Sequence, residues 1–152
     1  MFLQTDPMFN YEIGKYGCYF MDIPFVVSKK TGRGFDRADI MHIYDQLTGP
    51  DRPGDWMTKN CFLEDSPKVF TFLGLPVESV EMCDPSVECK PGQFEFLRFE
   101  RTFWSQKQRK LKTYGHFTCG NGEGIVTYDP AGNSNAVKYG HLESKRIFTR
   151  SK

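Results

Sequence analysis

The sequence lacks the features of a membrane-embedded or exported protein. It contains no apolar segment long enough to span a bilayer. Its first residues, Met1 to Pro7, lack the basic start and the continuous apolar stretch of a secretion signal. We therefore expect a soluble chain that is located in the cytoplasm.

The sequence also lacks an excess of charge of either sign. Lys and Arg total 20 while Asp and Glu total 19, so the formal net charge is +1. Because the net charge is near zero, the protein as a whole does not attract polyanions, and we expect neither nucleic acid nor a membrane as a partner. Any charged partner must bind to a local patch of charged side chains. The basic stretch from Ser105 to Lys110 is interpreted as a solvated hairpin loop rather than a nucleic-acid site.

Cysteine and histidine are too few to indicate a disulfide framework or a metal site. The five cysteines are an odd number, so complete pairing would leave one thiol over, and we expect reduced thiols. A zinc site could combine His116 with Cys83, Cys89 and Cys119, but the gap between Cys83 and Cys89 is wider than the usual ligand spacing. We therefore expect no metal and no cofactor.

What is present suits one α+β domain that covers residues 1–152, because this length buries a substantial core. Three helices are predicted in the first half: one from Cys18 to Lys30 that Gly32 ends and Pro24 interrupts, one capped by Asp36, and one capped by Ser66. β-branched and aromatic runs then predict strands at Val77–Met82, Phe94–Trp104, Thr113–Cys119, Ile125–Tyr128 and Leu142–Phe148. Helices followed by an antiparallel sheet describe an α+β fold.

One predicted hairpin brings two chemical groups together. If residues 121–124 form its loop, pairing runs outward from Gly120 opposite Ile125 to His116 opposite Asp129. Directly opposed residues share a face of the sheet, with β-carbons about 5 Å apart. The Asp129 carboxylate is therefore expected to hold the His116 imidazole by a hydrogen bond.

Cys18 is the cysteine best placed to be a nucleophile. It follows Gly17 at the predicted start of a helix, where free backbone amides and the helix dipole favour a thiolate and can hold an oxyanion. With His116 as its base and Asp129 as the residue that orients the ring, Cys18 completes a Cys-His-Asp triad. His42, on the helix after Asp36, and His141 have no comparable partners.

The Gly17-Cys18 helix start, Gly115-His116-Phe117 and Tyr128-Asp129-Pro130 resemble the papain-like cysteine peptidases, in particular the small bacteriocin-processing type and its relatives in phages and bacteria. The resemblance implies a helical part carrying the cysteine, packed on an antiparallel sheet carrying the histidine and the aspartate. It also implies a cysteine hydrolase that cleaves a peptide or amide bond through a thioester, with a peptide or a cell-wall peptide as substrate. The alternatives are a non-catalytic papain-like binding or structural module and a phage-type lysin that cleaves peptidoglycan.

One position departs from the family pattern. Papain-like enzymes place a glutamine shortly before the cysteine to donate into the oxyanion hole, whereas Glu12 stands six residues before Cys18 and cannot donate. Asn10 is the substitute donor that we expect, and Gln4 is a more distant one.

Overall fold

The computed structural model describes residues 2–152, which form five helices and a five-stranded sheet. The helices are α1 (Tyr11–Tyr16), α2 (Cys18–Thr31), α3 (Arg37–Thr48), α4 (Ser66–Phe72) and α5 (Asn135–Tyr139). The strands are β1 (Val77–Cys83), β2 (Gln93–Ser105), β3 (Lys110–Gly120), β4 (Val126–Tyr128) and β5 (His141–Arg150). None of the helices within residues 2–152 is both long and apolar enough to cross a bilayer.

The longer helices begin and end as the sequence predicts. In α3 the Asp36 side chain accepts a hydrogen bond from the Asp39 amide at 2.7 Å, and the Asp39 carboxylate accepts one from the Asp36 amide at 2.9 Å. These reciprocal bonds satisfy two amides that a helix start leaves without partners. Helix α2 continues through Pro24 to Thr31 and ends at Gly32, whose φ of +77° is a backbone conformation that glycine adopts without a steric penalty.

Other helix predictions need correction. Asp65, not Ser66, caps α4: its carboxylate accepts a hydrogen bond from the Lys68 amide, and Ser66 is the first helical residue. The short helices α1 and α5 were not predicted, because five or six residues are too few to show a helical repeat of apolar positions.

The sheet is antiparallel throughout, with the strand order β1-β5-β2-β3-β4. The expected α+β class is therefore confirmed, with four of the helices preceding every strand in the chain. Helix α5 lies between β4 and β5 in the chain.

Both faces of the sheet bury apolar side chains. Phe70 of α4 packs against Phe94, Phe96 and Phe148 of the sheet, with ring centroids 5.0 to 5.8 Å apart, inside the larger core that also includes α1, α2 and α3. Leu97 and Phe99 point to the opposite face, where Ala136 of α5 joins them in a second cluster. Successive residues of β2 thus bury side chains on alternate faces, which explains why Phe94 to Leu97 are all buried.

The hairpin between β3 and β4 differs from the predicted register. Cys119 pairs with Tyr128 and Gly120 with Val126, and the pairing shifts between these two positions. The cause is Glu95, a buried carboxylate on β2 that accepts hydrogen bonds from the Gly122 and Gly124 amides at 3.1 and 2.8 Å. Because the loop wraps around this carboxylate, it is one residue longer than predicted and includes Ile125, whose carbonyl bonds the Asn121 amide at 2.9 Å.

Candidate active site

The junction between α1 and α2 positions Cys18. Gly17 ends α1 by donating its amide to the Ile13 carbonyl at 2.9 Å, and it starts α2 by accepting the Met21 amide at 2.8 Å. A β-carbon on Gly17 would lie 2.4 Å from the Ile13 carbonyl oxygen, so only glycine fits this close approach. Cys18 is therefore the first residue of α2, where the backbone amides of the first turn have no partner within the helix.

Tyr19 fixes the start of α2 against the sheet. Its ring packs edge-on against Phe117 of β3 and Phe96 of β2, with centroid distances of 4.7 and 5.2 Å. Its hydroxyl bonds the Ser66 hydroxyl at 3.0 Å. Burial raises the pKa of Tyr19 to about 12, so the ring stays neutral. The residue next to Cys18 thus holds the helix N-terminus beside β3.

The structure brings His116 and Asp129 together. Asp129 Oδ1 lies 2.6 Å from His116 Nε2. The Asp129 side chain is 7% exposed and the His116 side chain is 9% exposed. Asp129 also accepts the Ala131 amide on Oδ1 and the Ser134 amide on Oδ2, at 2.9 and 3.1 Å. These two backbone amides therefore hold the Asp129 carboxylate in place, and the carboxylate in turn orients the His116 imidazole.

The charges of this pair follow from these bonds. Burial opposes protonation of His116, but the hydrogen bond with Asp129 and the interactions with Cys18 outweigh it and raise the pKa of His116 to about 9. Burial likewise opposes ionisation of Asp129, but hydrogen bonds from His116 and from the Ser134 and Ala131 amides lower its pKa to about 2. At neutral pH the pair is an imidazolium and a carboxylate.

Cys18 is the third member of the group. Its side chain lies near enough to His116 to contribute to the raised pKa of the ring, although residues 2–152 contain no hydrogen bond between the Cys18 thiol and the imidazole. Since Nε2 of the ring faces Asp129, Nδ1 is the nitrogen left to exchange a proton with the thiol. β4 pairs with β3 only at Cys119 and Gly120, so within residues 2–152 no strand covers that edge of β3 at His116.

The other cysteines are ordinary thiols in this structure. Burial raises the pKa of Cys61 to about 12 and that of Cys89 to about 11, raises the pKa of Cys119 well above its usual value, and raises that of Cys83 in the same direction. All five cysteines are free. Among residues 2–152, no three His, Cys, Asp or Glu side chains are grouped as a metal would require.

Asp22 is a polar group near the site that the sequence did not single out. It lies one turn after Cys18 on α2, it is fully buried, and neither of its carboxyl oxygens has a hydrogen-bond partner among residues 2–152. Burial, followed by the charges of Cys18 and Asp129, raises the pKa of Asp22 well above its usual value, although Cys119 opposes this. Burial without a hydrogen-bond partner therefore favours the neutral form of this carboxyl.

An open groove leads to Cys18. Its volume is about 840 Å³, and it lies between the segment of residues 60–67 and the sheet. Cys18 lines this groove together with Gly115 and Phe117, the two neighbours of His116 on β3. Neither His116 nor Asp129 lines this groove. A second cavity of about 630 Å³ lies near the C-terminal end of α2, around Lys29 and Cys89, away from the triad.

The expected oxyanion donors are engaged elsewhere. Asn10 caps α1, because its side-chain oxygen accepts the Ile13 amide at 2.9 Å, and Asn10 does not line the groove. Gln4 donates its amide to the Gly14 carbonyl at 3.2 Å. Asn60, which we did not predict, is an amide side chain that does line the groove. The segment that carries it has no periodic pattern, so the sequence held no signal for this position.

Comparison with known proteins gives a family without an assigned activity. Residues 1–150 match the family described as "Protein of unknown function, DUF261", and the chain belongs to this family. Neither a curated protein nor a solved structure is a significant match for the chain.

Proposed function

We propose that this member of the DUF261 family is a cysteine hydrolase of papain-like build that cleaves a peptide or amide bond through a thioester on Cys18. The observation that carries the proposal is the 2.6 Å contact between Asp129 Oδ1 and His116 Nε2, next to a groove that is lined by Cys18 at the start of α2 and by both neighbours of His116 on β3. Nucleophile, base and orienting carboxylate in this order are the parts that acyl transfer needs.

The charges of the group support this chemistry. A protonated imidazole beside a cysteine stabilises the thiolate, which is the form that attacks a carbonyl carbon. As the C–S bond forms and the C–N bond breaks, His116 gives its proton to the leaving amine. Water then attacks the thioester while His116 takes a proton from it, so that the acid product leaves and the Cys18 thiolate and the imidazolium are restored.

The oxyanion would be held at the start of α2. Its free first-turn amides, including that of Cys18 itself, are the backbone donors. We assign the side-chain donor to Asn60, because it is the carboxamide that lines the groove beside Cys18. This replaces Asn10, which the structure uses as a helix cap.

The substrate would be a peptide, because the groove is open and lined by both rings and charges. Tyr16, Phe62 and Met82 are 41%, 67% and 69% exposed along it, and these apolar surfaces suit side chains of an extended chain. Arg146 adds a cation whose guanidinium bonds the Ser144 hydroxyl and the Lys145 carbonyl. A cell-wall peptide is the variant of this substrate that a lysin would take.

Alkylation by iodoacetamide tests the nucleophile without knowledge of the substrate. At mildly acidic pH we expect Cys18 to be modified much faster than the partly exposed Cys83, and mass mapping of peptides reads out both sites. His116→Gln should remove this preference. Equal rates at Cys18 and Cys83, unchanged by His116→Gln, would contradict the triad and favour a non-catalytic module.

Hydrolysis is tested on a peptide library and on purified peptidoglycan. Cys18→Ser should abolish cleavage of whichever of the two is cut, and cleavage of peptidoglycan alone would identify a lysin. Asn60→Ala should lower kcat by roughly 10²-fold with little change in KM, while Asn10→Ala should leave kcat unchanged and cost about 1 kcal/mol of folding stability. The opposite result would return the oxyanion role to Asn10.

A further inference from the structure

The hairpin of β2 and β3 extends well beyond the rest of the sheet. β2 and β3 remain paired out to Ser105 and Lys110, whereas the pairing of β2 with β5 ends at Glu100 opposite His141. Residues 101–105 and 110–114 therefore form a two-stranded ribbon roughly 17 Å long that pairs with no third strand, and Arg101 at its base lies over the Tyr139 ring of α5 at 5.4 Å. We call residues 101–114 the projecting ribbon.

The projecting ribbon concentrates the positive charge of the protein. It carries five cations and no acidic residue: Arg101, Lys107, Arg109, Lys110 and Lys112. The remainder of the chain then has 15 Lys and Arg against 19 Asp and Glu, a net charge of −4. Within residues 2–152, no carboxylate lies within ion-pair distance of any of the five cations. The overall net charge of +1 therefore does not show that positive charge is concentrated in the ribbon and negative charge in the rest of the chain.

The two faces of the ribbon differ in chemistry. On one face Trp104 lies opposite Leu111, and these side chains are 54% and 67% exposed. Their neighbours on this face are Thr102 and Thr113, whose hydroxyls bond each other at 2.7 Å. This face of the ribbon thus presents an apolar pair without a charge beside it.

The other face combines cations and rings that are already packed together. Phe103 packs edge-on against Tyr114 at 5.7 Å, and the Arg101 guanidinium lies over the Phe103 ring at 5.4 Å. Lys110 and Lys112 lie on this same face, and Lys107 and Arg109 lie in the turn. The cations therefore lie in the turn of the ribbon and on the face opposite Trp104 and Leu111.

We propose that the projecting ribbon docks on an anionic phospholipid bilayer. If the ribbon approaches tip first, Trp104 and Leu111 would enter the interfacial region, where an indole ring and an aliphatic side chain are both favoured. Lys107 and Arg109 of the turn and Lys110 beside it would contact lipid phosphate and carboxylate groups, and Lys112 and Arg101 would add attraction from farther along the ribbon. Single-stranded nucleic acid fits less well, because it needs free ring faces next to cations. Here the rings beside the cations pack on each other, and Leu111 has no surface on which a base stacks.

Sedimentation with vesicles tests the proposal on the full chain. We expect binding to vesicles of phosphatidylcholine mixed with phosphatidylserine, weak binding to phosphatidylcholine alone, and a loss of affinity as NaCl screens the charges. Tryptophan emission should shift to the blue on binding. The shift should vanish in Trp104→Phe, which leaves Trp56 as the remaining tryptophan.

Matched variants separate the ribbon from general surface effects. The double variant Lys110→Gln, Lys112→Gln should weaken binding at least about tenfold, whereas Lys29→Gln, Lys30→Gln, near the opposite end of β3, should change it less than about twofold. Leu111→Ala should weaken binding more than Ile125→Ala, a second exposed aliphatic residue near that opposite end. Circular dichroism checks that each variant is folded.

Three outcomes would overturn the proposal. The first is no binding to the anionic vesicles. The second is equal binding by the two lysine double variants. The third is tight binding of a single-stranded oligonucleotide without binding of vesicles, which would assign the ribbon to nucleic acid. Cys18→Ala should bind vesicles as the native chain does, so the result is independent of the proposed hydrolysis.

Discussion

Asp129 Oδ1 lies 2.6 Å from His116 Nε2, although the two residues are not opposite each other in the sheet. The observed pairing of Cys119 with Tyr128 would place Asp129 opposite Thr118 if it continued. Asp129 instead lies just beyond the end of β4, where the Ala131 and Ser134 amides turn its carboxylate toward the imidazole. The expected contact between His116 and Asp129 is present. It is formed by the loop that follows β4 and not by a pair of directly opposed residues in the sheet.

Asp129→Asn tests how this contact sets the charge of the histidine. Without the carboxylate, burial lowers the pKa of His116 from about 9 toward or below its usual value of 6.5. Titration of the His116 ring protons by NMR measures this change, and His141→Gln provides a resonance-assignment control. We expect the hydrolytic rate to fall roughly 10²- to 10⁴-fold, because the ring loses its orientation and its tautomer. An unchanged titration of His116 would contradict the role given to Asp129.

The pair also predicts how stability depends on pH. The pKa of His116 is raised in the folded state, so its contribution is full below about 6.5 and is lost as the pH rises through about 9. The pKa of Asp129 is lowered from 3.8 to about 2, so its contribution is full above 3.8 and is lost as the pH falls through about 2. The pair therefore stabilises the fold most between about pH 4 and 6.5.

Denaturant unfolding of the native chain and of Asp129→Asn measures this contribution as a difference. The difference in unfolding free energy should be about 2 to 3 kcal/mol within the window, since one pKa unit corresponds to about 1.4 kcal/mol. The two shifts share one hydrogen bond, so their free energies do not add. A difference that stays constant up to pH 10 would show that the pair is not ionic.

Asp22→Asn should stabilise the protein at neutral pH. The pKa of Asp22 is raised in the folded state, so its stability is full below 3.8 and is lost as the pH rises toward the folded pKa. An amide of the same shape does not ionise in the unfolded chain and avoids this loss, so we expect a gain of at least about 1 kcal/mol at pH 7. The gain should disappear below about pH 4. Equal gains at both pH values would indicate a packing effect, and Asp22→Glu serves as the ionisable comparison.

Gly17→Ala tests the junction that places the nucleophile. A methyl group at this position would lie 2.4 Å from the Ile13 carbonyl oxygen, so α1 and α2 must move apart and displace Cys18. We expect a loss of about 1 to 3 kcal/mol in stability together with slower alkylation of Cys18 by iodoacetamide. Gly34→Ala, where a β-carbon meets nothing within 4 Å, is the matched control and should leave the alkylation rate unchanged. A normal alkylation rate in Gly17→Ala would show that the junction tolerates the shift.

Several parts of this protein were determined by the sequence alone. The ends of α2 and α3 follow from Gly32 and from the Asp36 capping box, because capping groups act within one turn of the chain. The strands follow from β-branched and aromatic runs, and the α+β class follows from their order. Cys18 was marked by Gly17 and by the helix start for the same local reason.

Tertiary structure alone decided the features that depend on groups far apart in the chain. The buried Glu95 carboxylate set the register of the β3–β4 hairpin by accepting hydrogen bonds from the Gly122 and Gly124 amides. Because Glu95 lies on β2, outside the hairpin, the hairpin sequence by itself does not predict this register. The placement of Asn60 in the groove, the burial of Asp22 and the free length of the projecting ribbon likewise depend on which neighbours the fold provides or withholds. Hydrogen bonding and desolvation act between groups that are close in space. The sequence therefore predicts these interactions only where residues that are close in space are also close along the chain.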